Sequence, residues 1–165
     1  MGGEKDPFEP KKIKDIVTDA LALCSERLKN HGVKLKLRQI PDQLNIECRS
    51  QQISQVILNL ILNAKQALTL IPDDKWIMIE AKDIGSEVII TITDNGVGIA
   101  EDVRPKILEP FFTTKQIGDG PGLGLSISKG IIEDHGGRLY LDETQEYTTF
   151  VIQIPKTQKR KNLVA

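Results

Sequence analysis

Two glycine turns and a row of amides are the residues in this sequence whose types and spacing could do chemistry. The first turn is Asp94-Asn95-Gly96-Val97-Gly98, and the second is Gly120-Pro121-Gly122-Leu123-Gly124-Leu125. A strand pattern feeds the first and a helix pattern leaves the second, the layout of a nucleotide held between two turns under a cover. Gly96 and Gly98 remove Cβ atoms where a flat ring could lie against backbone. Gly122 and Gly124 free the backbone ahead of a helix, where N–H groups and the positive helix end hold phosphates. Taken singly, each G-x-G is equally a plain turn. The G-x-G-x-x-G dinucleotide fingerprint fails at Glu101 and again at Ile127, and no glycine run ends in Gly-Lys-Ser/Thr, so neither a Rossmann nor a Walker loop is present. Asn59, Asn63 and Gln66 stand at i, i+4 and i+7, which puts three amides on one side of a helix. Mid-helix asparagine is disfavoured by propensity. The row is either a solvated face or a metal and phosphate site.

The elements that must position these groups follow from periodicity. Ile13, Val17, Ala20, Cys24 and Leu28 recur at helical spacing, which predicts one helix opened by Glu9-Pro10 and ended by Gly32. Val33–Arg38 and Leu44–Cys48 alternate apolar with polar, and two strands paired as a hairpin are expected. Ser50 is the expected N-cap of the helix whose apolar face is Ile53, Val56, Ile57, Leu60, Ile61, Ala64 and Leu68. Trp76–Lys82 and Glu87–Thr93 read as strands joined through Gly85-Ser86. The second sets Val88, Ile90 and Ile92 on one side and Ile89, Thr91 and Thr93 on the other, which suits a central strand, and delivers Asp94 at its C-terminal end. Ile99–Pro121 is a long proline- and glycine-punctuated loop, with a short helix expected over Arg104–Leu108, and loops of that length are functional or disordered. Leu125–Glu133 returns to helix, and Arg138–Leu141 and Thr148–Ile154 are two last strands. His31 and His135 read as helix-end caps, and Cys24 and Cys48 as buried small hydrophobes. The sum is an α/β two-layer sandwich: a mixed, largely antiparallel sheet with about three long helices on one face.

Composition bounds the rest. At 165 residues, 39% hydrophobic and 27% charged, the chain is of single-domain size with globular values. A net charge of -1 does not suit a nucleic-acid binder. No apolar run approaches the roughly 18 residues that span a bilayer. Residues 1–7 read as a cloning scar or disordered start, 8–155 as the domain, and 156–165 as a flexible basic tail. A cytoplasmic location is expected, with the full-length protein open to membrane tethering.

Four segments in order carry a resemblance: QVILNLILNA (55–64), DNGVGI (94–99), EPFFTTK (109–115) and GPGLGLSIS (120–128). They resemble the N, G1, F and G2 boxes of the sensor histidine kinases, in the catalytic ATP-binding domain whose Bergerat fold is shared with gyrase and Hsp90. EDHGG followed by TTFVIQIP is similar to the end of that domain, and NAKQAL to the nitrogen-regulation-type subgroup. The resemblance implies roles. Asp94 accepts a hydrogen bond from the adenine amino group, which a carboxylate suits because it only accepts. Asn63 holds Mg²⁺ through its amide oxygen, with Asn59 supporting metal or phosphates. Gln66, Gly96, Gly98 and Ile99 join the nucleotide site. Gly120, Gly122, Leu123, Gly124 and Leu125 contact phosphates through backbone. Lys115, with Thr113 and Thr114 beside it in the lid, reaches the terminal phosphate, while Phe111 and Phe112 pin the lid. Lid ordering is expected to depend on nucleotide.

The same resemblance implies Mg-ATP as the substrate complex. The acceptor is a histidine on a separate dimerisation domain, and a response-regulator receiver domain lies downstream. The isolated domain is expected to be a monomer and the full-length kinase a homodimer. Two features depart from the family: Gln66 and Ala67 stand where a lysine and an aromatic are common, with Lys65 one place early, and Tyr147 replaces a common glycine. Neither His31 nor His135 has the acceptor's helical setting, so the chain reads as a half-enzyme. Related ATPases and serine kinases place a glutamate where this chain has Asn59, which cannot take a proton, so slow hydrolysis is expected. A serine-protein kinase or ATPase of the same fold, or a non-catalytic nucleotide sensor, are the alternatives.

Overall fold

A computed structural model describes residues 6–110 and 124–158. In chain order the elements are β1 (Glu9–Lys12), α1 (Ile13–Ala22), α2 (Ser25–Asn30), β2 (Lys34–Arg38), β3 (Asn45–Cys48), α3 (Ser50–Ala67), β4 (Trp76–Asp83), β5 (Glu87–Asp94), a short 3₁₀ turn (Arg104–Lys106), α4 (Gly124–Asp134), β6 (Arg138–Leu141) and β7 (Thr148–Pro155). Five strands form one sheet in the order β2-β4-β5-β7-β6, and β1 pairs with β3 in a separate two-stranded ribbon. Only β2–β4 is parallel within the large sheet. β5 is the central strand, with Val88, Ile90 and Ile92 buried under the helices and Ile89, Thr91 and Thr93 on the opposite face.

The core lies between one face of that sheet and the helices. Ile77, Ile79 and Ala81 of β4, Val88, Ile90 and Ile92 of β5, and Phe150, Ile152 and Ile154 of β7 are buried against the α3 stripe Ile53, Val56, Ile57, Leu60, Ile61 and Ala64. α3 packs against α1 on one flank and α4 on the other. The opposite sheet face carries Trp76, Met78, Thr91, Tyr140 and Val151 in a shallow groove with no helix over it among the described residues. The result is the expected two-layer α/β sandwich with a mixed sheet.

Four local expectations are corrected. Glu9–Lys12 is extended and pairs with Asn45–Cys48, so the helix starts at Ile13; Pro10, lacking an N–H, sits without difficulty in a two-stranded ribbon. The long first helix is two helices broken at Leu23–Cys24, where Cys24 leaves the helical region (φ −136°). Leu21 before the break, Cys24 at it and Leu28 after it are all buried, so apolar spacing alone could not reveal it. β2 and β3 do not form a hairpin: β2 pairs in parallel with β4, setting Leu35 and Leu37 beside Ile77 and Ile79, while β3 pairs with β1. A period of two marks a strand but does not name its partner. Finally, Ser50 is the first helical residue and makes no side-chain cap. The cap comes from Asp6, whose carboxylate oxygens accept from the N–H groups of Gln51 (3.4 Å) and Gln52 (3.2 Å). An anion at a helix N-terminus satisfies unpaired donors and the dipole together.

Bonding also reaches past the expected domain bounds. Asp6 is buried. The Lys156 backbone bonds Ser86 and Glu47, and Gln158 bonds Glu47 and the His135 carbonyl.

Candidate functional site

The site is built where the end of the central strand meets the end of the central helix. β5 delivers Asp94 as its last residue, 3% exposed, with its backbone paired between Ile77 and Thr148. The chain then turns hard against α3: the Val97 N–H donates to the Ala67 carbonyl at 3.3 Å. A Cβ on Gly96 would stand 2.6 Å from that same carbonyl oxygen. The glycine therefore makes room for the helix end. Gly98 does need its freedom, with φ at +81°. Asn95 points away from the ligand side. Its Oδ1 accepts the Trp76 N–H at 2.8 Å and its Nδ2 donates to the Asp74 carbonyl at 2.7 Å, which fixes the start of β4 to the end of β5.

Asp94 carries the most telling electrostatics. One oxygen accepts the Gly96 N–H at 2.8 Å. No other side-chain bond to it occurs among the described residues, and no described buried polar side-chain atom lacks a partner, so the second oxygen keeps an opening to solvent. Burial drives the Asp94 carboxyl up to about 6, against the opposing pull of the Gly96 bond. A desolvated acceptor with one oxygen engaged and one offered is suited to a single N–H donor from a ligand.

α3 presents the amides one and two turns back from that contact. Asn59 and Asn63 are half-buried, while Gln66 is exposed. Nδ2 of Asn59 donates to Ser128 Oγ at 3.3 Å, across to α4. Its Oδ1, and the whole Asn63 amide, have no bonded partner among the described residues. That donor set suits a hard cation which keeps its waters and phosphate oxygens. No group of three His, Cys, Asp or Glu able to cage a metal occurs among the described residues. Asn63, with Asn59 one turn before it, therefore fits Mg²⁺ held jointly with a nucleotide.

α4 opens at Gly124 with Leu125 packed on the core, and Ser128, one turn in, meets Asn59 of α3. Ile99 is also seated on the core, and its carbonyl accepts from Arg104 Nε at 3.0 Å. Thr113, Thr114, Lys115, Gly120, Gly122 and Leu123, and with them Phe111 and Phe112, lie outside the described residues.

Ser128 of α4 and His135, the residue that follows the helix, are buried in a way their residue types do not announce. Ser128 and His135 are both completely buried, on the stripe with Leu125 and Ile132. His135 does cap the end of α4, from a fully buried position. Its Nδ1 bonds the Ile131 carbonyl at 2.8 Å, its Nε2 accepts the Arg49 N–H at 3.1 Å, and its ring packs on Phe8 with centroids 5.1 Å apart. Burial, ahead of a raising contribution from the Ile131 bond, holds the imidazole below its ordinary value and therefore neutral. The signal available in sequence was their register: polar residues at i+3 and i+10 of an otherwise apolar stripe starting at Leu125.

With this geometry in hand, comparison with known proteins is direct. Residues 48–158 match the family described as histidine kinase-, DNA gyrase B-, and HSP90-like ATPase. The sensor histidine kinase ZraS of Salmonella typhimurium is 36% identical over 152 residues, covering 91% of this chain and 32% of ZraS, so the chain spans about a third of that relative. The nucleotide-free catalytic domain of histidine kinase ThkA superposes with a TM-score of 0.81 at 31% identity, covering 92% of this chain and 97% of that one. ThkA in complex with the response regulator TrrA matches with a TM-score of 0.77 at 29% identity, covering 91% of this chain and 42% of that one. From the seat of Asp94 to the amides of α3, the chain belongs to the histidine kinase-, DNA gyrase B- and HSP90-like ATPases, among the catalytic domains of sensor histidine kinases.

Proposed function

We propose that this domain binds Mg-ATP and donates the γ-phosphate to a histidine on a separate helical dimerisation domain, in two-component signalling. The observation that carries the reading is Asp94, a desolvated carboxylate with one oxygen held by Gly96 and the other offered outward, beside a helix on which Asn59 Oδ1 and the Asn63 amide have no bonded partner among the described residues. The adenine amino group donates to Asp94, whereas guanine offers a carbonyl oxygen there and is refused. Asn63 holds Mg²⁺ through its side-chain oxygen and Asn59 supports it. The ion supplies neutralisation of the phosphate charge when bound. Backbone N–H groups from Gly120, Gly122, Leu123, Gly124 and Leu125 receive the phosphates, and Lys115 reaches the terminal one, with Thr113 and Thr114 near it.

α3 contains no Asp or Glu, so that helix offers no general base for water or a serine hydroxyl. A neutral imidazole acceptor needs less activation, and transfer then rests on positioning and charge stabilisation. Hydrolysis by the domain alone is accordingly slow. A receiver domain is the downstream partner, in keeping with the ThkA–TrrA complex. The full-length kinase is a homodimer working on the cytoplasmic side, where ATP is. No described helix is long and apolar enough to cross a membrane.

Calorimetry with ATP and Mg²⁺ tests the site, and an isolated histidine-bearing dimerisation domain with labelled ATP tests the reaction. Acid-labile phosphate on the acceptor is the expected product. Fast hydrolysis without an acceptor, or acid-stable phosphoserine, would refute the assignment.

A further inference from the structure

The contact between Asn59 and Ser128 has chemistry that neither residue type announces. An asparagine amide presents a donor and an acceptor from one flat group, and rotation by half a turn exchanges them. On α3 that exchange decides whether the ligand side meets an oxygen or an N–H pair. Only the oxygen can hold a cation. Half-buried Asn59 has one bonded partner among the described residues, the hydroxyl of Ser128, and it gives that partner its Nδ2. Ser128 is completely buried, so its hydroxyl has no water to turn to and its orientation is set by its protein neighbours. It stands one turn into α4, four residues after Gly124, on the helix that the second glycine turn opens. The same two helices are tied again lower down, where His135 accepts from the Arg49 N–H, so α4 lies antiparallel along α3 and Ser128 cannot drift from Asn59.

We propose that Ser128 is a positioning residue for Asn59: by accepting its Nδ2 it keeps Oδ1 free for the metal–phosphate side, and it couples the start of α4 to the metal-binding face of α3. This rests on the nucleotide reading above, in which Asn59 supports Mg²⁺ and the phosphates. A purely structural serine would add stability and nothing more. A positioning serine instead affects the part of ATP affinity that depends on Mg²⁺.

The test is calorimetry of ATP binding with Mg²⁺ and again with the metal chelated, alongside thermal melting. Ser128→Ala should lower the Mg²⁺-dependent gain in affinity roughly three- to tenfold, the range of one lost hydrogen bond, while binding in chelator stays within twofold. Ser128→Thr, which keeps the hydroxyl, should retain most of the gain. In an Asn59→Ala background, adding Ser128→Ala should cost no further Mg²⁺-dependent affinity. His135→Ala serves as the stability control, and should lower melting without touching the gain. The inference is overturned if Ser128→Ala keeps the full gain, if Ser128→Thr loses it as Ser128→Ala does, if the two substitutions add independently, or if His135→Ala erodes the gain equally. Wild-type binding that is lost on Asp94→Asn, combined with an unaffected Ser128→Ala, would sink this inference alone. Absence of any ATP binding by the wild type would sink the nucleotide reading with it.

Discussion

The α3–α4 pair is held differently at its two ends. At the start of α3, everything polar is closed. Asp6 caps the first N–H groups, the Arg49 N–H goes to His135, the Arg49 side chain donates to the Asp6 carbonyl at 3.0 Å, and its guanidinium lies 4.7 Å from the centre of the Phe8 ring. At the far end Asp94 has one oxygen engaged and one open, Asn59 gives its nitrogen and keeps its oxygen, and Asn63 keeps both. Both ends bury a titratable group. One is a neutral base with both ring nitrogens paired; the other is an acid that burial has lifted to about 6. The lesson is that buried polar groups stabilise where they are fully paired, and wait for a ligand where pairing stops short.

Substitutions at the two ends should separate stability from affinity. His135→Ala, which removes both ring bonds and the Phe8 contact, is expected to cost about 2–4 kcal/mol of unfolding free energy in a denaturant titration. ATP affinity below the melting range should stay within twofold; a tenfold loss would break the comparison. Asp94→Asn should do the reverse. The Gly96 N–H claims the remaining oxygen, an NH₂ faces the adenine amino group, and affinity falls about ten- to a hundredfold, from a charged hydrogen bond of roughly 1.5–3 kcal/mol. Because the variant no longer buries a charge, its stability at pH 8 should rise, on the order of 1–2 kcal/mol. Unchanged ATP affinity would mean that Asp94 does not read the base. Gly96→Ala sits between the ends, since its Cβ collides with the Ala67 carbonyl. It should cost about 1–2 kcal/mol of stability and weaken ATP as well, because the turn must lift from α3 to admit it.

The smallest effect is the pH response. With Asp94 titrating at about 6, ATP affinity at pH 5.5 should be about fourfold below its plateau at pH 8. The part due to this residue should vanish in Asp94→Asn. The two ends push stability in opposite directions. The folded Asp94 carboxyl holds its proton more tightly than the unfolded one, so its contribution grows as pH falls from 6 toward 4. Folded His135 resists a proton that the unfolded imidazole accepts, so its contribution is full above 6.5 and is lost as pH falls below that. Midpoints of denaturant unfolding across pH 4–8, in wild type and each variant, distinguish the two slopes.

Much of this was legible in the residues, for identifiable reasons. β5 announced itself as central because Val88–Thr93 is β-branched throughout, with Ile89 and two threonines on the side opposite Val88, Ile90 and Ile92, and α3 because its apolar stripe runs unbroken from Ile53 to Ala64. The placement of Asp94 was legible because the strand pattern before it delivers it at the C-terminal end of β5. The pairing of β1 with β3, the Asp6 cap and the His135–Arg49 bond were not, since each joins residues 30 or more positions apart, and local pattern carries no record of such contacts. Ser128 failed for a subtler reason. A serine in an apolar stripe looks like a small filler until the partner on the neighbouring helix is known. The contact of Gly96 with the Ala67 carbonyl was not legible either, because a missing Cβ marks close approach without saying what approaches.

The place of β7 in the sheet has a consequence for how the chain is made. β5 pairs with β4 through a tight local turn, but its other edge waits for Thr148–Pro155, more than fifty residues downstream. Until that strand emerges from the ribosome, β5 offers an open, strongly apolar edge, and the α3 stripe lacks part of its cover from Phe150, Ile152 and Ile154. Closing so long a loop costs entropy before any contact repays it, which slows folding and prolongs that exposure. A nascent chain stalled before Thr148 is therefore a template for strand addition and a natural client for chaperones.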